Sequence, residues 1–170
     1  MAIEAGTPAF DRESLRMGSD ERSDSFEILP GIGLGRLKFG MSTTEAEELL
    51  GVPEEIADFD SDRHLHYPNI GVFLFFSEDE GCALSGIEVN SRCNCTLAGE
   101  KVFPRKREGV ASLLLRYNTQ ACLANDVAVI HLEKDGGTRL TSRKLGVDFY
   151  FDATNHLESI NWSDNDLNGD

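Results

Sequence analysis

Hydrophobic and polar positions along this chain recur at matching offsets. Gly35 lies four residues before Phe39, and Gly99 four before Phe103. Ala46 and Val110 each follow their Phe by seven residues, and Leu49-Leu50 and Leu113-Leu114 keep the same spacing. Further on, Gly71-Val72 and Gly146-Val147 each lead to a Phe (Phe76, Phe151), a Leu (Leu84, Leu157) and, three residues later, an Ile (Ile87, Ile160). A recurrence of this length predicts a structural unit shorter than the chain. Because the recurring positions are apolar or Gly, they read as scaffold and carry no chemistry of their own.

The local patterns supply the elements of each unit. Residues 31–39 read as a strand whose alternation slips at Gly35, which predicts a bulge or bend there. Ser42-Thr-Thr-Glu45 has capping-box spacing and opens a helix with Ala46, Leu49 and Leu50 inward, ended by Gly51 and Pro53. Residues 64–68 suggest a short strand. Val72–Phe76 and Ala83–Val89 read as a hairpin around Glu78-Asp-Glu-Gly81. In the second unit, 96–103 reads as a strand, and Pro104 opens a helix running to about Tyr117 with Val110, Leu113 and Leu114 inward. Residues 127–133 form a strand, and 147–151 with 157–162 a closing hairpin. The expected fold is therefore α+β: two tandem strand–helix–β-hairpin repeats, with antiparallel sheets and the helices on one face. The organisation is a flexible segment over 1–27, repeat 1 over 28–92, repeat 2 over 93–162 and a flexible tail over 163–170, the repeats forming one compact domain. Phe39, Leu50, Val72, Phe76, Ile87, Phe103, Leu114, Phe151 and Ile160 are the expected core.

Composition changes this picture mainly through charge. The 170 residues carry a formal charge of −14. Residues 29–92 hold twelve acids and four bases, a net of −8, while 93–158 hold eight acids and nine bases. A field of that sign repels phosphate backbones and excludes general nucleic-acid binding. No apolar run approaches the ~20 residues of a membrane span. Met1-Ala-Ile-Glu-Ala-Gly6 lacks a basic region followed by an apolar stretch, so the chain reads as cytoplasmic, with no membrane association. In that compartment Cys82, Cys93, Cys95 and Cys122 are expected as thiols.

The stretch Gly35-Arg-Leu-Lys-Phe39-Gly-Met-Ser, then a short helix ending Leu49-Leu-Gly-Val-Pro53, then a Gly-Val-rich hairpin resembles the tandem unit of the β-lactamase-inhibitor-protein and small outer-membrane-lipoprotein superfamily. Related strings occur in uncharacterised bacterial immunity-type proteins. The resemblance covers residues 32–91; residues 95–162 match through the repeat alone, since Pro104-Arg105 stands in place of Gly40-Met41. It implies a protein-binding scaffold and transfers no partner or binding residue. No Cys precedes Cys82, which disfavours the lipoprotein branch.

Candidate chemistry is sparse. Gly31, Gly33 and Gly35 miss the dinucleotide fingerprint, which needs Gly where Arg36 stands and a helix where a strand is read. Asp58, Asp60, Asp62, His64 and His66 occupy alternate positions and line one face if extended. Asp60, Asp62, His64 and His66 are weak metal candidates. The calcium-loop spacing fails, with Arg63 for Gly and Asn69 for the bidentate Glu, so no metal or cofactor is expected. Arg105-Lys106-Arg107 opposes the dipole at the start of the second helix and suits an anion or an acidic surface. No G-x-S-x-G, H-E-x-x-H or Cys–His arrangement supports catalysis. The functional expectation is a non-enzymatic protein-binding module of inhibitor or immunity type. Its acidic face is Asp58, Asp60, Asp62, Glu78, Asp79 and Glu80, with Arg105, Lys106 and Arg107 as further contact candidates, and its partner has a basic surface. A ligand-binding protein or enzyme with a site between the repeats, and a purely structural accessory domain, stand as alternatives. Oligomeric state is left open.

Overall fold

The computed structural model describes residues 25–60, 62–78, 81–120, 129–132 and 136–164. Its strands, in chain order, begin with β1 (Phe26–Leu29), β2 (Gly33–Leu34) and β3 (Leu37–Lys38) before helix α1 (Thr43–Leu50). A meander follows: β4 (Glu55–Phe59), β5 (Asp62–Tyr67), β6 (Val72–Ser77) and β7 (Ala83–Asn90). Next come β8 (Cys95–Leu97), β9 (Glu100–Lys101) and helix α2 (Arg107–Gln120). The chain closes with β10 (Val129–Leu132), β11 (Thr138–Ser142), β12 (Val147–Phe151) and β13 (Leu157–Ser163).

Two sheets result. The larger has eight antiparallel strands in the order β10-β11-β12-β13-β7-β6-β5-β4. The smaller has five, ordered β3-β2-β1-β8-β9, with β1 and β8 parallel. This corrects the expectation of two tandem strand–helix–hairpin repeats in an α+β arrangement. Among the described residues the protein is mainly β, with two helices of 8 and 14 residues. Its strands are not parcelled into two units: β7 pairs with β13 and β1 with β8, so both sheets draw on both halves of the chain. The expectation failed where strands lack alternation. In β4 only Ala57 is even partly buried, so the segment carries no hydrophobic period. In β11, Leu140 is the single large apolar residue. What read as one strand over 96–103 is the β8–β9 hairpin, and 31–39 folds as the β2–β3 hairpin around Gly35.

Other elements follow their sequence signals. Ser42 Oγ accepts the Glu45 amide (3.3 Å), and the Glu45 carboxylate accepts the Ser42 amide (2.8 Å), a reciprocal cap that starts α1. The Gly51 N–H closes the helix on Glu47 O at 2.7 Å. In β6, Val72, Leu74 and Phe76 point inward and Phe73, Phe75 and Ser77 outward. The inward rows of the large sheet form a single cluster with Ala46 of α1, Val110, Leu113 and Leu114 of α2, and Ile28, Leu34, Leu37 and Leu97 of the small sheet. Trp162, Phe76 and Phe149 are its largest fully buried side chains. Each such residue stabilises the fold by roughly 1.5–3 kcal/mol. Phe39 and Leu50, expected in the core, are only partly buried and pack on its margin. Of the segments expected to be flexible, Phe26 and Glu27 belong to β1 and Ser163 to β13; the rest, except Ser25 and Asp164, lies outside the described residues.

Candidate protein-binding face

Pairing register places one row of outward side chains across the large sheet. It runs Glu55, His66, Phe73, Glu88, Asn161, Asp148, Thr141, from β4 to β11. A parallel row runs Ala57, His64, Phe75, and Phe75 lies over Gly86, where a Cβ would crowd the ring at 3.3 Å. None of the row members with side chains is buried. The core lies on the sheet's other side.

The two halves of this outer face differ. Toward β11 the groups satisfy one another: Asp148 accepts from the Thr141 hydroxyl, Arg139 lies 3.8 Å from the same carboxylate, and the Arg139 guanidinium sits 5.9 Å over the Tyr150 ring. Toward β4 five rings form a patch. His64 is 4.8 Å from Phe59, 4.7 Å from Phe75 and 6.3 Å from His66, and His66 is 5.2 Å from Phe73. Packing among these rings holds the His64 imidazole below its usual range, through loss of solvent first and the neighbouring His66 second, with Asp62 opposing. His66 Nδ1 lies 3.5 Å from the Glu55 carboxylate. Burial pushes Glu88 up, against the hydrogen bond from Ser159 and the charge of His66.

The acidic candidates do not share one face as their alternate spacing suggested: Asp62 lies with His64 and His66 on the outer side, whereas Asp58, paired with Arg63 and through it aligned with inward Phe76, lies on the inner side. Asp58, Asp60 and Asp62 sit on the β4–β5 hairpin, and Asp62 pairs with Ser77, next to Glu78. All four are exposed. Arg63 Nε donates to Asp58 at 2.8 Å, so the chain's own base already offsets that acid. Asp79 and Glu80 lie outside the described residues.

Arg105, Lys106 and Arg107 are elsewhere. Lys106 bridges His156 at the β12–β13 turn, the end of the sheet opposite the β6–β7 turn, because β7 and β13 run antiparallel. Arg105 pairs with Glu100 at 3.1 Å and Arg107 with Glu108 at 3.5 Å, so the chain's own acids offset two of the three charges. α2 begins at Arg107 and the Lys106 carbonyl accepts the Val110 amide at 3.1 Å, so Lys106 and Arg107 stand at the positive end of the helix while Arg105 lies before it.

Asp60, Asp62, His64 and His66 do not converge as ligands: among the described residues no group of three or more His, Cys, Asp or Glu side chains forms a metal site. Cys93 and Cys95 are buried thiols in β8 and the turn before it, and the Cys95 thiol is pushed up by its hydrogen bond with Cys93 and by burial. No helix among the described residues is long and apolar enough to cross a membrane. The sequence reading missed Phe59, Phe73, Phe75 and Glu88. Phe73 and Phe75 were hidden in the continuous apolar run of β6; their odd parity relative to Val72, Leu74 and Phe76 was the available signal.

No protein-family model matches the chain, and no curated protein matches it. Among solved structures, an extracellular protein containing an SCP domain from Bacillus anthracis str. Ames is similar at a TM-score of 0.46 and 12% identity, over 89% of this chain and 49% of that one. The chain spans about half that protein's length, and a likeness at this level carries no argument.

Proposed function

We propose that the protein is a non-enzymatic, protein-binding module, of the inhibitor or immunity type that its α1 region resembles, and that it engages a partner with a basic surface. The carrying observation is the five-ring patch Phe59, His64, His66, Phe73 and Phe75 with Asp62 on the same side of the sheet and Asp60 and Glu78 in the adjoining turns. Aromatic anchors ringed by polar groups match the usual anatomy of a recognition surface. The acids steer a cationic partner, and Lys or Arg side chains gain further from ring faces such as Phe59. The free thiols Cys82, Cys93 and Cys95 suit a cytoplasmic setting. The test is capture of a partner from source lysate with wild type and with the triple variant Asp58→Asn, Asp60→Asn, Asp62→Asn. Capture should fall sharply for the variant and with rising salt. Equal capture by both proteins overturns the reading.

A further inference from the structure

The large sheet ends at β4, and nothing among the described residues pairs with its outer edge. That edge is unusual in what it exposes. Glu55, Ile56, Asp58 and Phe59 are all open to solvent, with Ile56 at 54% and Phe59 at 58% exposure. The core does not reach this strand, so Ile56 points to the sheet's inner side and finds little cover. Alternate N–H and C=O groups of an edge strand point away from the sheet and await a partner strand. Apolar side chains on an unprotected edge make such pairing favourable.

We propose that β4 accepts an extended basic segment of the partner as a ninth strand. This rests on the protein-binding reading above and names its mode of docking. Register on β4 sets the pattern the added strand needs. Phe59 and Ile56 call for apolar neighbours, Glu55 for Lys or Arg, and Asp58, already bonded to Arg63, for a further base. Every contact between neighbours in the large sheet is antiparallel, so the added strand reads apolar, basic, any, apolar, basic from its N-terminal end. Main-chain hydrogen bonds supply affinity in this mode and the alternating side chains supply selectivity. Charge decides between occupants. Glu54, Glu55, Asp58, Asp60 and Asp62 lie along one hairpin against the single base Arg63, in a chain with a net charge of −14, which repels a second copy and attracts a cationic strand. The acids thus protect the edge against self-association without closing it to a basic segment.

The probe is a ten-residue peptide of two valine-lysine-threonine-valine-lysine units, titrated into the full chain at low ionic strength. A second peptide carries proline in place of both threonines, which removes N–H groups that a strand needs. Backbone hydrogen exchange is read residue by residue. Strand addition predicts slowed exchange at 55–59, at least tenfold weaker binding of the proline peptide, and at least tenfold loss with the double variant Glu55→Lys, Asp58→Lys. Unchanged exchange at β6 and β7 certifies that this variant is folded. Absence of β4 protection, equal binding of both peptides, or protection that grows with protein concentration without peptide overturns it; the last result means that a second copy occupies the edge. The two proposals fail separately. Capture that depends on Asp58, Asp60 and Asp62 with β4 unprotected removes strand addition and leaves the face reading standing; β4 protection with capture indifferent to these acids does the reverse.

Discussion

Gly71 and Gly99 both adopt left-handed backbone, at φ of +66° and +75°, and alanine at each separates two costs that usually come together. Either substitution forces an L-residue into that region, at about 1–2 kcal/mol. At Gly99 nothing lies within 4 Å of the added Cβ, so the conformational cost is the whole effect. At Gly71 the Cβ falls 2.4 Å from Asn90 Oδ1, 2.7 Å from the Cys93 backbone nitrogen and 2.9 Å from Arg92 Cβ. Those atoms are not free to retreat. Asn90 Oδ1 accepts the Arg92 amide at 3.0 Å, the Cys93 amide donates to Asn90 O at 2.9 Å, and the Asn90 amide donates to Gly71 O at 3.0 Å. Overpacking of this kind costs a further ~1–3 kcal/mol. Gly71→Ala should therefore destabilise by about 2–5 kcal/mol and Gly99→Ala by about 1–2 kcal/mol. Urea unfolding at 25 °C measures both, with the slope checked for constancy so that midpoints compare directly. Equal losses in the two variants would refute the close packing of the 68–71 and 90–93 turns, which set the spacing of β5, β6 and β7 beneath the proposed face.

Further outcomes follow from burial and from the titrating groups. Phe76→Ala, at a fully buried site, should cost about 3–5 kcal/mol, and Phe39→Ala, on the core margin, clearly less; denaturant midpoints decide. Folding raises the Glu88 pKa, so its carboxylate weakens the fold at neutral pH and that penalty is relieved as pH falls through the folded value. Glu88→Gln should raise the thermal midpoint at pH 7, with the gain vanishing in acid below the ordinary Glu range near ~4. Folding lowers the His64 pKa, so stability should decline as pH drops through about 6.5, and His64→Asn should flatten that part of the profile. Cys93 and Cys95 should resist alkylation in the native protein while the less buried Cys82 reacts before either, as timed labelling with mass spectrometry will show.

Sequence periodicity revealed those elements whose inward residues are strongly apolar. The capping box at Ser42, the inward stripe of α2 and the β6–β7 and β12–β13 hairpins all carried such signals. The strands it missed, β1, β4 and β11, bury little or only one large apolar residue, so they carry no hydrophobic period. The recurrence of apolar offsets suggested two separable units, yet the joins β7–β13 and β1–β8 are long-range hydrogen-bonded pairings that leave no mark in either segment alone. Charges at alternate positions made Asp62, His64 and His66 visible as one row, but the turn between β4 and β5 puts Asp58 on the other side of the sheet. The aromatic half of the candidate face was not visible, because Phe73 and Phe75 look like core until the register of β5 and β7 shows which way they point. The basic triad was visible too, but the pairing of Arg105 with Glu100 and of Arg107 with Glu108 depends on the β8–β9 hairpin and the true start of α2.

The association rate with a captured partner, measured against ionic strength, tests the central claim most directly. Exposed charges act over a screening length that shortens to roughly 8 Å at physiological salt, so steering by Asp58, Asp60, Asp62 and Glu78 must weaken as salt rises. The account predicts that the on-rate falls steeply with salt for wild type, and that the triple variant Asp58→Asn, Asp60→Asn, Asp62→Asn starts lower and varies less, with a smaller change in off-rate. An on-rate indifferent to salt, or unchanged in the triple variant, would contradict binding through this acidic and aromatic face.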